Sequence, residues 1–113
     1  MNSRVLHVAF PVFLFACASA LADDGKVTIL SPADGAVVSI QDKVTIRYKA
    51  VWGPHGNHLH VYLDGRRMDV VREPEGSDDI RILLPGKHQI CLAIETRWHF
   101  PTGVQQCINV TAR

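Results

Sequence analysis

Beyond its first two dozen residues the chain alternates apolar and polar positions with a period of two, in short runs broken by turn markers. That period belongs to half-buried β-strands. Val44–Val51 shows it most clearly, with Val44, Ile46, Tyr48 and Ala50 on one face and Thr45, Arg47 and Lys49 on the other. Val27–Leu30 reads as a shorter strand ended by Ser31-Pro32-Ala33-Asp34-Gly35, and Ala36–Ile40 as its continuation. His58–Leu63 turns Leu59, Val61 and Leu63 inward and His58, His60 and Tyr62 outward. Glu73–Asp79 reads as a charged loop and Ile80–Leu84 as a strand. His88–Glu95 is a longer strand with Ile90, Leu92 and Ile94 inward; after the loop Thr96–Gly103, Val104–Thr111 closes the chain. About seven strands at short intervals, with no long helix, predict an all-β, immunoglobulin-like β-sandwich.

Two hairpins set expected registers. Asp64-Gly65 suits a type I′ turn, whose central residues both need positive φ. A regular hairpin about it sets Leu59 opposite Val70, Val61 opposite Met68, and His60 opposite Asp69. A hairpin centred on His99 sets Ile94 opposite Val104, Ile90 opposite Ile108 and Cys91 opposite Cys107.

The first 22 residues follow a different pattern. Arg4 precedes an unbroken apolar run, Val8–Ala18, and then small residues, Ala18-Ser19-Ala20 and Ala20-Leu21-Ala22. This is the layout of a secretory signal peptide cut after Ala22, leaving one domain over residues 23–113. An uncleaved anchoring helix over Val5–Ala22 is the rival, against which Pro11 counts. Lipoprotein anchoring at Cys17 is a further alternative, disfavoured by the bulky Phe15. The expected destination is the periplasm or the exterior, with no membrane span once the signal is removed.

Export changes the reading of the cysteines. Cys17 leaves with the signal, and the remaining Cys91 and Cys107 are expected to form a disulfide across the last hairpin. Closing the 15 residues between them stabilises the fold by on the order of 3 kcal/mol. A reduced pair binding metal is the alternative. Charge adds little: the formal net charge of +1 falls to zero without Arg4, and no basic face marks nucleic-acid binding.

The candidate chemistry is histidine. Three histidines crowd into His55-Gly56-Asn57-His58-Leu59-His60, and His58 and His60 project from the same strand face. In a sandwich the loops Trp52–Asn57 and Thr96–Gly103 share one end, bringing His99 near. Glu95 belongs on the neighbouring strand, and Asp69 could hydrogen-bond the second nitrogen of His60. His55, His58, His60, His99 and Glu95 are therefore candidate ligands for zinc or copper. The competing reading is a solvated strand face with an ordinary His60–Asp69 pair. Trp52, Trp98 and Phe100 are candidates for partner contact, or else Trp98 and Phe100 plug the sandwich end. No nucleophile elbow or phosphate-cradling loop occurs, so no enzyme is expected.

Several segments together resemble a bacterial family of unknown function. They are Ser31-Pro32-Ala33-Asp34-Gly35-Ala36, Gly56-Asn57-His58-Leu59-His60 with Leu63-Asp64-Gly65, Leu84-Pro85-Gly86-Lys87-His88, and His99-Phe100-Pro101. Its members are small, exported, histidine-rich immunoglobulin-like domains. The resemblance implies an exported, Gram-negative periplasmic sandwich and supplies no activity. This chain lacks the family's denser histidine run, and Thr102-Gly103 stand where a second histidine often follows the proline.

Overall fold

A computed structural model describes residues 25–113. The expected signal peptide and Cys17 lie outside them. The described chain is all β: β1 (Lys26–Ser31), β2 (Ala36–Val38), β3 (Val44–Val51), β4 (His58–Leu63), β5 (Arg66–Val71), β6 (Glu75–Ile80), β7 (Gly86–Glu95) and β8 (Pro101–Ala112). The eight strands form two sheets, one ordered β1-β3-β6 and the other β2-β8-β7-β4-β5. Among the described residues no helix is long and apolar enough to cross a membrane.

The period-two pattern dictates the core. Val27 and Ile29 of β1 and Ile46 and Tyr48 of β3 face Leu59 and Val61 of β4, Ile90, Leu92 and Ile94 of β7, and Ile108 and Val110 of β8. Alternate residues point to the outer faces, as the pleat requires. The four-residue stretch Ala36–Val38 with Gly35 does not extend β1. It crosses to the other sheet and pairs parallel to β8, Ala36 opposite Val110.

The expected loop Glu73–Asp79 is instead mostly strand, and the expected strand Ile80–Leu84 is not one beyond Ile80. β6 is an edge strand held by its backbone ladder to β3, from Lys49 opposite Glu75 to Val44 opposite Ile80. Apart from the half-buried Asp78 its polar side chains stay at the surface, so no apolar alternation marks it. Ile82 still fills the core, whereas Leu83 and Leu84 are exposed.

Both hairpins form. Asp64 and Gly65 adopt φ of 53° and 82°, as a type I′ turn requires. Past the turn, however, a β-bulge takes up Met68, so that Val61 faces Asp69 and His60 faces Val70. A one-residue shift moves every later side chain to the other face. The last hairpin keeps its expected register at Ile90–Ile108 and Cys91–Cys107, with an irregularity between Ala93 and Glu95. Cys91 and Cys107 are disulfide-bonded across β7 and β8, which suits an oxidising compartment.

Candidate metal centre

His58 and His60 stand on the outer face of the five-stranded sheet, yet both are buried, with 0% and 2% of their surface exposed. Together with Glu95 they are the buried polar or charged residues among those described. The register explains the room for them. On β7, His60 lies opposite Ala93, whose methyl leaves space for an imidazole, and His58 lies opposite Glu95. On the other side β5 supplies Val70 beside His60.

The loop after β7 closes over this pair. Thr96 organises it: its Oγ1 accepts the backbone N–H groups of Trp98 and Phe100, and its carbonyl accepts that of His99. His99 takes a left-handed φ of 65° at the tip. That conformation turns its imidazole onto the other two. The Nε2 atoms of His58 and His60 are 3.0 Å apart, and His99 Nδ1 lies 3.1 Å from each. Three ring nitrogens thus form a nearly equilateral triangle, a group able to hold a metal ion.

On the outward side His58 Nδ1–H donates to Asn57 Oδ1 at 3.1 Å, which leaves its Nε2 a lone pair turned into the triangle. His60 Nδ1 lies 3.2 Å from the Tyr62 hydroxyl and 3.6 Å from a Glu95 oxygen. A neutral imidazole carries one N–H and one lone pair, so each ring can offer the triangle an acceptor nitrogen. A cation among them can be held by all three.

Electrostatics keep the pair neutral. Burial pushes the His60 pKa down to about 4, helped by the charges of His58, Arg67, His99 and Arg72. Burial also lowers His58, followed by the effects of His99, Arg72 and Arg67. Burial raises Glu95 above the usual carboxylate range, against the pull of Arg67. Neutral imidazoles are the form that binds metals.

Not every expected residue joins. Glu95 stands behind His60 instead of in the triangle. His55 is exposed and lines a surface hollow with Pro54, Asn57, Trp98 and Phe100. The close packing of Gly56 pins that loop: a Cβ there would fall 2.2 Å from Trp52 O and 2.5 Å from Ile94 Cγ2. Asp69 does not meet His60, because the bulge sends it to the inner face, where its carboxyl meets Asp78 of β6. Trp52 packs against the core, while Trp98 and Phe100 are exposed and plug nothing. Sequence reasoning missed Asn57 and Tyr62, although both flank or follow the H-x-H pair and were within reach of a second-nitrogen search.

No protein-family model matches the chain, and no curated protein is similar to it in sequence. Solved structures are similar. The fibronectin(III)-like modules of CbhA from Clostridium thermocellum align over 77% of this chain and 96% of theirs, at 14% identity and a TM-score of 0.66. The fold is fibronectin-III-like. A CARDB domain from Pyrococcus furiosus, solved in complex with di-metal ions, aligns over 79% of this chain and 92% of its own, at 14% identity and a TM-score of 0.50. At such identities the likeness extends to the fold alone.

Proposed function

We propose that this chain is an exported periplasmic or secreted domain that binds a transition metal, zinc or copper, through His58, His60 and His99. One observation carries the reading: the Nε2 atoms of two buried histidines lie 3.0 Å apart with a third ring nitrogen 3.1 Å from both. Three imidazole nitrogens converging on one place are a donor set for a divalent ion. The far nitrogens lie at hydrogen-bond distance from Asn57 and Tyr62, the kind of supporting contact that metal-bound histidines ordinarily make. All-nitrogen donors suit Zn²⁺ and Cu²⁺. The signal-like first 22 residues, the disulfide and the resemblance to an exported bacterial family support the location.

Calorimetric titration of the disulfide-bonded protein with Zn²⁺ and Cu²⁺ tests this. One ion per chain, bound tighter than about 1 μM, is expected, and the His58→Ala/His60→Ala variant should lose it. Binding no tighter than about 1 mM overturns the reading.

The exposure of Trp98 and Phe100, 67% and 65% respectively, favours a second reading, contact with a protein partner through this loop. Under it, substitutions in Thr96–Gly103 weaken partner binding and those at His58 and His60 do not.

A further inference from the structure

The metal reading has a chemical consequence that depends on which atoms the triangle supplies. All three are imidazole nitrogens, Nε2 of His58 and His60 and Nδ1 of His99. Within the group there is no carboxylate or thiolate to offset an ion's charge. Zinc prefers four ligands, and sites with three protein ligands keep a water in the fourth place.

Three neutral ligands leave the full double charge acting on that water. Zinc in a three-histidine set of this kind lowers the pKa of its water to about 7. Arg67 and Arg72 beside β4 disfavour positive charge on the histidines and so favour hydroxide. Glu95 on β7 and Tyr62 on β4 face His60 Nδ1 from 3.6 Å and 3.2 Å, and a carboxylate there acts in the opposite sense. His99 is the exposed member of the group, and its chain neighbours Trp98 and Phe100 are exposed as well. Both of them line a surface hollow with Pro54, His55 and Asn57. It offers an apolar flank to a small aromatic group and no enclosed cleft for a large substrate.

We propose that the zinc-loaded site hydrolyses small activated esters, aryl acetates being the simplest. This departs from the sequence expectation of no enzyme, and it rests on the metal reading above. The metal-bound water gives a proton to buffer. The resulting hydroxide forms a C–O bond to the ester carbonyl carbon, and the bond from that carbon to the aryl oxygen breaks. The phenolate leaves, the carboxylic acid so formed gives its proton to buffer, and a new water displaces the carboxylate product.

The test uses the disulfide-bonded protein with zinc first confirmed at one ion per chain, and 4-nitrophenyl acetate as substrate. The expected result is kcat/KM at least tenfold above that of the metal-free protein and of an equal concentration of free Zn²⁺. It should rise with pH through an inflection near about 7. His88→Ala, outside the site, should retain this rate, and His58→Ala/His60→Ala should lose it. One bound zinc with hydrolysis no faster than metal-free protein overturns the proposal and leaves metal binding standing. So does an unchanged rate in the double variant, which would assign the reaction to exposed imidazole. Failure to bind zinc at all removes both readings.

Discussion

His58 and His60 bring their Nε2 atoms to 3.0 Å although they are alternate residues of one strand. A rise of about 3.3 Å per residue sets such side chains more than 6 Å apart at their bases. The rings therefore lean together, their centroids 4.9 Å apart and their planes tilted by 51°. Asn57 and Tyr62 hold the lean from outside, each at hydrogen-bond distance from an Nδ1.

Removing these outer partners should loosen the metal without deleting a ligand. Asn57→Ala and Tyr62→Phe are each expected to weaken zinc binding by about 10–100-fold with stoichiometry unchanged. Competition titration against a chelator of known affinity measures it.

The metal-free protein should lose stability in acid. His60 is held near pKa 4 when folded and returns to its ordinary value near 6.5 when unfolded. The unfolded state therefore binds more protons between these values, so stability falls as pH drops from about 6.5 to about 4 and levels off below. Thermal melts of the metal-free chain across this range should show the fall, and His60→Gln should make it shallower, His58 still contributing in the same sense.

Asp78 works in the opposite sense. Burial, the neighbouring Asp69 carboxyl and Asp79 raise its pKa to about 7, and its Oδ2 is buried without a partner. Here the folded state holds the proton longer, so stability is full below about pH 4 and declines as pH rises to about 7. Asp78→Asn should raise Tm at pH 8 relative to the parent, with the gain shrinking toward pH 4. A gain that is equal at both pH values would exclude titration of Asp78 as the cause.

At the other end of the sandwich, His88 Nδ1–H donates to Asp64 Oδ2 at 2.6 Å and its Nε2–H to the Leu84 carbonyl at 2.7 Å. The Asp64 bond, the Leu84 bond and the Asp64 charge raise the His88 pKa against its desolvation. That stabilisation is complete below about pH 6.5 and is lost as pH rises through the raised value. His88→Ala should thus cost more at pH 5 than at pH 9, as denaturant midpoints at the two pH values would show. Asp64 is half exposed, so the difference is modest.

The Cys91–Cys107 bridge closes the segment that carries both Glu95 and His99. Cys91→Ser/Cys107→Ser should cost on the order of 3 kcal/mol, a drop in Tm of roughly 10–20 °C. It should also weaken metal binding, because the loop that presents His99 loses its tether. Melting curves and calorimetry of the variant check the two effects separately.

The sequence by itself determined the sandwich, the core faces, the last hairpin's register and the crowding of histidines at one end. These follow from a two-residue period and from short turns, which are local properties of a strand. The tertiary structure alone decided three things. A bulge at Met68 sent Asp69 away from His60, since an extra residue in one strand leaves no mark on apolar alternation. Edge strand β6 formed from Glu75–Ile80 because backbone pairing with β3, and not burial of its side chains, holds it. And His99, not His55 or Glu95, completed the triangle. That choice depended on the left-handed tip of one loop and the tight seat of Gly56 in another. The contact they permit, between His58 and His99, joins residues some 40 positions apart, beyond the reach of any local pattern.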